Sequence, residues 1–275
     1  LRASRSQICW MNLDYEHIHR LIEESFEIFS GEPQLIIQER GEFLIVGDTH
    51  GDADTTLNAF REAESLGLNL LFLGDYVDRG PKQVENIVTL LEHKLSWGDK
   101  LIMLRGNHES AQMNLWYGFH SVVASRYGEE LYREFAELFS QLPYAAILPN
   151  RIICVHGGVA EGLEKAEEIR SLPKGEIDPR NPIAFQLVWN DPCEDIEWFA
   201  PSWRGGGAKL FGWRAFNEFM DKNRFNLMIR AHEPQDKGYG YLFNDRLLTV
   251  FSCRYYGIKP AAAIARENIE IIHLV

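Results

Sequence analysis

Cysteine is scarce in this sequence. The 275 residues contain four, Cys9, Cys154, Cys193 and Cys253, and no two of them form a Cys-x-x-Cys pair. Cys154 and Cys253 stand in apolar runs typical of strands, which predicts buried thiols. Scattered, unpaired cysteines are typical of a reducing compartment, so we expect a cytoplasmic protein.

Long apolar runs and an excess of basic residues are also lacking. No apolar run approaches the length of a membrane span, and the amino-terminal residues lack the apolar region of a signal peptide. We therefore expect no membrane association. Lys and Arg number 28 against 40 Asp and Glu, a formal net charge of −12, which argues against a nucleic-acid partner. An anionic substrate is not excluded, because bound metal ions would reverse the local field.

The chain shows no internal repeat, low-complexity tract or clear linker. Hydrophobic residues make up 45% and charged residues 25% of the sequence, an ordinary globular balance that can bury a full core. We therefore predict one catalytic domain over residues 1–275. Apolar residues recur on one face of a predicted helix from Asp14 to Ser30, so residues 1–33 are expected to form a helical segment that packs on the core.

Short apolar runs alternate with polar loops and helices along the middle of the chain. Predicted strands at 43–46, 68–73 and 100–104 each run into a polar cluster, and helical patterns follow. A further strand at 35–38 is expected to join the first of these at Arg40-Gly41. Other strands are predicted at 152–155 and 227–229, with closing antiparallel strands at 247–251, 261–265 and 269–274. This βαβ-like pattern predicts an α/β fold with polar loops at the carboxyl ends of its strands.

Five predicted strand ends carry side chains that can bind metal. They are Asp48 with His50, Asp75, Asn107 with His108, His156, and His232. Carboxylate, imidazole and amide oxygen without thiolate suit Mn, Fe or Zn, and the number of groups is sufficient for two ions. Asp75 is the central candidate for a carboxylate shared by both. Two metals about 3.5–4 Å apart can hold a bridging hydroxide and support in-line displacement at phosphorus.

The neighbouring residues fit phosphoryl chemistry. Arg79 and Arg230 offer planar, bidentate donors for phosphate oxygens, although a plain salt bridge to Asp75 or Asp78 is an alternative for Arg79. His108 follows Asn107 and is a candidate general acid for the leaving alkoxide. Asp78 is the natural carboxylate to orient that imidazole.

Five motifs together resemble the phosphoprotein phosphatases, the Ser/Thr protein phosphatases of type 1, type 2A and calcineurin. They are GDTHGD at 47–52, GDYVDRG at 74–80, RGNHE at 105–109, HGG at 156–158 and RAH at 230–232. The similarity runs from about residue 43 to 256. A single motif of this kind is weak evidence, but all five in this order are highly specific.

This resemblance implies a calcineurin-like metallophosphoesterase fold, a central β-sandwich of two mixed sheets flanked by helices. It implies one metal on Asp48, His50 and Asp75, and a second on Asp75, Asn107, His156 and His232. We expect both to be manganese, with iron or zinc as alternatives. The resemblance also implies phosphate contacts from Arg79 and Arg230, with Asn107 and Tyr256 at the substrate, and His108 paired with Asp78. The expected reaction is hydrolysis of phosphoserine or phosphothreonine in proteins by direct attack of the bridging hydroxide. Regulatory subunits are left open.

Two substitutions and two other functions bear on this interpretation. Arg254 and Tyr255 replace family residues beside Tyr256, and Arg254 either contacts an acidic group of the substrate or pairs with a carboxylate of this chain. A diadenosine tetraphosphate hydrolase or other small-molecule phosphoester hydrolase is the alternative enzyme, but Asp78 and Glu109 favour the protein phosphatase. An inactive phosphate-binding module predicts a missing ligand or arginine, and none is missing.

Overall fold

Two mixed β-sheets pack face to face at the centre of the structure, and α-helices cover both outer faces. The computed structural model describes residues 13–275. Within that range the helices are α1 (Tyr15–Gly31), α2 (Ala53–Leu66), α3 (Gln83–Trp97), α4 (Ala111–Tyr117), α5 (Phe119–Tyr127), α6 (Glu129–Phe139), α7 (Pro182–Trp189) and α8 (Trp213–Asn223). The strands are β1 (Leu35–Ile37), β2 (Phe43–Val46), β3 (Asn69–Phe72), β4 (Leu101–Met103), β5 (Ala145–Leu148), β6 (Ile152–Val155), β7 (Asp191–Pro192), β8 (Phe199–Pro201), β9 (Lys209–Phe211), β10 (Leu227–Arg230), β11 (Tyr239–Leu242), β12 (Leu247–Val250), β13 (Ala261–Ala265) and β14 (Ile269–His273).

The strand order makes both large sheets mixed. One has the order β14-β13-β2-β3-β4, in which β2, β3 and β4 are parallel and β13 is antiparallel to both of its neighbours. The other has the order β1-β5-β6-β10-β12-β11, in which β6, β10 and β12 are parallel. A small sheet, β7-β9-β8, lies apart from these two. The predicted sandwich of two mixed sheets flanked by helices is confirmed.

Alternate residues of each strand enter different cores. In β2, Phe43 and Ile45 pack between the two sheets, whereas Leu44 and Val46 pack against the helices. Strand β6 alternates in the same way between the inter-sheet core and the core under α7 and α8. Because both faces are buried, these strands are continuous apolar runs rather than alternating patterns. Their carboxyl ends are the first points at which the chain can place polar side chains.

Helix α1 covers the outer side of the five-stranded sheet by packing on α3 and α6. Asp14 caps it, since its carboxylate accepts a hydrogen bond from the backbone of His17 at 2.9 Å. Ile18, Leu21 and Phe29 lie on its buried face. The helical part of the predicted segment 1–33 therefore packs on the core, while residues 1–12 of that prediction lie outside the described residues. The single-domain assignment stays a prediction.

One strand orientation differs from the expectations, and other features of the sheets were not predicted. The strands on either side of Arg40-Gly41 belong to different sheets, because β1 pairs with β5 and β2 pairs with β3 and β13. Strand β12 was expected to be antiparallel but runs parallel to β10, and only its other neighbour, β11, is antiparallel. Strand β5 was not predicted, because two of its four residues are alanine, which has little strand propensity.

The cysteines of the described residues are free thiols. Cys154 and Cys253 are buried, as predicted, and burial raises the pKa of both, that of Cys253 to about 12. Cys9 lies outside the described residues, and the reducing compartment stays a prediction. Over residues 13–275, no helix combines the length and the apolarity that crossing a bilayer requires.

Candidate active site

The polar side chains predicted at five strand ends converge on one cavity of about 480 Å³. It opens where the carboxyl ends of β2, β3, β4 and β10 meet at the edge of the sandwich. The predicted residues that line it are Asp48, His50, Asp75, Arg79, Asn107, His108, His232 and Tyr256. His156 and Asp78 are fully buried directly behind this lining. Arg230 alone among the predicted residues takes no direct part in this arrangement.

Asp75 belongs to two groups of side chains that could each hold a metal ion. In one group, His156 Nε2 lies 3.4 Å from Asp75 Oδ1, 3.0 Å from Asn107 Oδ1 and 3.2 Å from His232 Nδ1. His156 Nδ1 lies 3.0 Å from the carbonyl oxygen of Leu73, to which it can donate. That bond leaves the Nε2 lone pair directed at the other ligands, the usual role of an outer hydrogen bond at a metal site.

The other group consists of His50, Asp75 and His108, and the predicted ligand Asp48 lies beside it. His50 Nε2 is 3.5 Å from Asp75 Oδ2 and 3.8 Å from Asp48 Oδ2, and His50 Nδ1 is 2.9 Å from the carbonyl oxygen of Val77. The two carboxylate oxygens of Asp75 thus face different groups, as a bridging ligand requires. Asp48 Oδ2 and His232 Nε2 are buried without a hydrogen-bond partner. Buried polar atoms are rarely left unpaired, so these residues fit a bound metal pair.

The pKa shifts in the cavity divide the proposed ligands. Those of His50 and His232 favour the neutral imidazole that binds metal, whereas the raised pKa of Asp48 favours its neutral acid. Burial lowers the pKa of His50 to about 3, and burial together with the Arg204 guanidinium lowers the pKa of His232 well below its ordinary value, so both imidazoles are neutral. Burial and the neighbouring Asp75 carboxylate raise the pKa of Asp48 to about 7. Burial opposes ionisation of Asp75 as well, but His156 and His108 outweigh it and hold its pKa low. Burial lowers the pKa of His156, but the carboxylates of Asp75 and Asp48 outweigh it and raise the pKa. A bound cation would favour the ionised form of Asp48 and the neutral form of His156, so this crowding of buried carboxylates and imidazoles fits a metal site.

Five site residues have left-handed backbone conformations. The φ angles are 41° for His50, 57° for Asp75, 67° for Asp78, 68° for Arg79 and 71° for His232. Such conformations cost non-glycine residues roughly 1–3 kcal/mol each and concentrate at functional sites. Tight packing maintains them. A Cβ atom on Gly106, for example, would collide with Asp75 Oδ1, so the RGNHE motif needs glycine there.

His108 and Asp78 form a buried pair at the side of the cavity. His108 Nδ1 lies 2.7 Å from Asp78 Oδ2, which also accepts a hydrogen bond from Asn114 Nδ2 at 3.1 Å. The other Asp78 oxygen accepts the backbone N–H of Phe119 at 2.9 Å. Burial lowers the pKa of His108, but the carboxylates of Asp75 and Asp78 outweigh it and raise the pKa. The pair therefore favours an imidazolium whose second nitrogen is available to the cavity.

The family model of calcineurin-like phosphoesterases matches residues 41–236, which include all six of the predicted metal ligands. The match covers well over half of the chain. The chain belongs to the calcineurin-like phosphoesterase family.

Solved structures of phosphatases share the fold of this chain. A protein serine/threonine phosphatase from Saccharomyces cerevisiae with similarity to human phosphatase PP5 is 26% identical, with a TM-score of 0.86 over 95% of this chain and 90% of that one. A cold-active protein-tyrosine phosphatase of a psychrophilic Shewanella is 15% identical, with a TM-score of 0.65 over 90% and 84% of the two chains. A protein provisionally assigned as a diadenosine tetraphosphatase is 17% identical, with a TM-score of 0.53 over 88% and 98%. The last two show the fold alone, whereas the family and the first structure identify this chain as a phosphatase.

Arg79 is exposed at the mouth of the cavity of this phosphoesterase. Its guanidinium carbon lies 4.3 Å from the ring centroid of Tyr117, a cation–π contact that orients the group. Among the described residues, no ion pair joins Arg79 to Asp75 or Asp78. The salt-bridge alternative for Arg79 is therefore wrong in this structure, and the guanidinium can reach an incoming anion.

Arg230 occupies a different place from the one predicted. It is fully buried, and its Nη1 and Nη2 each lie 2.9 Å from a carboxylate oxygen, those of Glu233 and Asp191 respectively. Nε donates to the carbonyl oxygen of Gly157 at 2.6 Å. It is the last residue of β10 and does not line the cavity, and these acceptors occupy the donors that phosphate would need. This geometry argues against a direct phosphate contact.

Arg204 is the cavity arginine that sequence reasoning missed. It lines the cavity beside Trp203 and pairs with Asp191, the same carboxylate that holds Arg230. Its position in a loop rich in glycine and proline gave no strand end to mark it. A signal was present, however, because long irregular loops inside a compact domain are usually functional, and Arg204 directly precedes three glycines.

Proposed function

We propose that this phosphoesterase is a metal-dependent protein phosphatase that hydrolyses phosphoserine and phosphothreonine. The likeness to the yeast serine/threonine phosphatase, which spans nearly all of both chains, supports a phosphoprotein substrate. The protein-tyrosine phosphatase and the diadenosine tetraphosphatase share the fold at lower similarity. The substrate must therefore be argued from the site itself.

The ligand groups around Asp75 support two divalent ions, and manganese is our first candidate for both. Asp48, His50 and Asp75 would hold one ion, and Asp75, Asn107, His156 and His232 the other. When bound, such a pair supplies an activated water and neutralises charge on the phosphoryl group. The strained, buried residues of the cavity keep the ligand atoms in place before any ion binds, which reduces the reorganisation that binding requires.

Arg79 and Arg204 are the proposed phosphate contacts. Both line the cavity, and two guanidinium groups can bind the non-bridging phosphate oxygens and orient the ester for in-line displacement. Arg230 supports this arrangement indirectly, because it pairs with the Asp191 carboxylate that also fixes Arg204. Asn107 and Tyr256 complete the proposed contacts with the substrate.

His108 is the proposed general acid. A serine or threonine alkoxide is a poor leaving group and needs a proton as the ester bond breaks. The 2.7 Å contact with Asp78 keeps a proton on Nδ1 and stabilises the imidazolium, so that Nε2–H can be given to the leaving oxygen. This contact is the observation that carries the proposal, because a high-pKa leaving group requires such an acid more than a phosphoanhydride does.

A comparison of three substrates tests the proposal. Initial rates would be measured with Mn²⁺ on a phosphoserine peptide, a phosphotyrosine peptide of the same sequence, and diadenosine tetraphosphate. We expect the highest kcat/KM on the phosphoserine peptide. Asp75→Asn serves as the control for a contaminating phosphatase and should be inactive on all three. A higher kcat/KM on diadenosine tetraphosphate would contradict the proposal and favour the small-molecule hydrolase.

A further inference from the structure

Arg254 forms an ion-pair cluster at the rim of the active site. Its Nε and Nη2 donate to Asp52 Oδ1 at 2.9 Å and 2.7 Å, and Nη2 also donates to Asp54 Oδ2 at 2.7 Å. The backbone N–H of Arg254 donates to the second oxygen of Asp52 at 3.0 Å. The Asp52 side chain is fully buried, whereas the Arg254 side chain is 41% exposed. Of the two sequence-based interpretations of Arg254, the structure therefore contains the intramolecular ion pair.

This cluster joins two loops that are far apart in the chain. Asp52 lies two residues after His50 and caps α2, where its carboxylate accepts the backbone N–H and the hydroxyl of Thr55. Arg254 begins the single helical turn that carries Tyr256. The loop that supplies the proposed ligands Asp48 and His50 is thus connected directly to the turn whose Tyr256 also lines the cavity.

The Tyr256 ring contacts residues of both loops and also lies near Arg79. Its ring stacks on His50 with centroids 5.8 Å apart and an interplanar angle of 27°, and it meets the edge of Phe251 at 4.9 Å. The guanidinium carbon of Arg79 lies 5.9 Å from the Tyr256 ring centroid. The orientation of this ring therefore affects the space between His50, a proposed metal ligand, and Arg79, which is proposed to bind phosphate.

A third segment is tied to the same cluster. Lys82 Nζ lies 3.0 Å from each oxygen of Asp54, so Asp54 is held between Lys82 and Arg254. Lys82 follows Arg79 by three residues. The ring of Tyr255 covers the Arg254 guanidinium at 5.7 Å. The segments that carry His50, Arg79 and Tyr256 are in this way linked through one guanidinium and two carboxylates.

We propose that Arg254 is a positioning residue that acts through Tyr256. Its ion pairs with Asp52 and Asp54 hold the turn at 254–256 so that the Tyr256 ring lies against His50 and Arg79. A short turn with exposed neighbours has little packing of its own to fix it, whereas two donors on a buried carboxylate are strong and directional. The planar guanidinium is needed for this geometry, and a lysine ammonium reproduces it only in part. The inference rests on the proposed placement of phosphate beside Arg79 and Tyr256.

The test is a double-mutant cycle on inorganic phosphate and a nitrophenyl ester. The variants are Arg254→Ala, Arg254→Lys, Tyr256→Ala and the double alanine variant, with Arg266→Ala as the control. Arg266 pairs with Glu42 at 2.9 Å, at the end of β2 that is remote from the cavity. The readouts are the affinity for inorganic phosphate by calorimetry, KM and kcat on the nitrophenyl ester and on an acidic phosphopeptide, and Tm.

Loss of the positioning contact should weaken phosphate binding by about as much as the loss of one or two hydrogen bonds. We expect Arg254→Ala to raise the phosphate dissociation constant and KM by about 3- to 10-fold, with kcat nearly unchanged. Arg254→Lys should recover part of this loss, and Arg266→Ala should show none. In a Tyr256→Ala background, Arg254→Ala should add less than about twofold, because the two residues act as one unit.

Three outcomes would overturn the proposal. Multiplicative effects in the double variant would show that Arg254 does not act through Tyr256. A lower Tm with unchanged phosphate affinity would show a role in stability alone. An effect confined to acidic phosphopeptides would show that Arg254 contacts substrate. If Arg254→Ala does not fold, Asp54→Asn breaks the more exposed half of the cluster and takes its place. A failure of the protein-phosphatase proposal would appear in the three-substrate comparison and leave phosphate binding as an independent readout.

Discussion

Replacement of Asp78 by asparagine removes the charge behind His108 and keeps the shape of the side chain. The three groups that contact the Asp78 carboxylate, His108 Nδ1, Asn114 Nδ2 and the backbone N–H of Phe119, all act as donors to it. An asparagine amide offers a single acceptor oxygen, so its NH₂ must face a donor on one side. The variant therefore loses at least one hydrogen bond and the stabilisation of the His108 imidazolium.

The size of the effect follows from the proposed role. A positioned general acid contributes about 10²–10⁴ in rate, which corresponds to about 3–5 kcal/mol of transition-state stabilisation. Asp78→Asn and His108→Asn should each lower kcat on a phosphoserine peptide by an amount in this range. The losses should not add in the double variant, since the two residues act as a unit. Metal content should stay near normal, because the backbone N–H of His108 still donates to Asp75 Oδ1, at 2.9 Å.

The assay compares two leaving groups on the same variants. Nitrophenolate leaves with little help from an acid, so kcat on a nitrophenyl ester should fall much less than kcat on the phosphoserine peptide. Elemental analysis and Tm would confirm that metal content and fold are retained. Equal losses on the two substrates would refute the acid role of His108.

Three further predictions concern the metals and two arginines. Dialysis against a chelator should abolish activity and Mn²⁺ should restore it, whereas full activity in a preparation shown to be metal-free would contradict the proposed site. Arg230→Met removes the partner of Glu233, leaves Asp191 paired with Arg204 alone, and should lower the free energy of unfolding by about 3–5 kcal/mol in urea denaturation. Arg204→Ala should cost less stability and instead raise KM. A raised KM in Arg230→Met together with a loss of stability in Arg204→Ala would instead assign the phosphate contact to Arg230.

The candidate site was largely predictable because its residues follow buried strands directly. Strands such as β2 and β6 are apolar on both faces, so a run such as Phe43–Val46 is recognisable on its own. The first polar residues after it must lie at the edge of the sheet. The five clusters could therefore be placed together without knowledge of how the strands pair.

Features that depend on distant partners were not predictable. Arg230 and Arg204 carry the same side chain and share Asp191 as a partner, and only the assembled fold buries the first in β10 and places the second in the cavity. The sequence motif drew attention to the arginine of β10, while the cavity arginine lay in an irregular loop. The partner of Arg254 lies 202 positions away, and no local pattern identifies it. Pairing of β1 with β5 rather than β2 is likewise a property of the assembled sheets.

The central claim is that two metal ions share Asp75, and calorimetric titration of chelator-treated protein with Mn²⁺ tests it most directly. Asp75 Oδ2 faces His50 and Asp75 Oδ1 faces His156, so the carboxylate serves both groups. Wild type should bind two equivalents of Mn²⁺. His232→Asn should weaken one site, while Asp75→Asn should weaken both. Retention of one full-affinity site in Asp75→Asn, or a single equivalent in wild type, would contradict the shared metal centre.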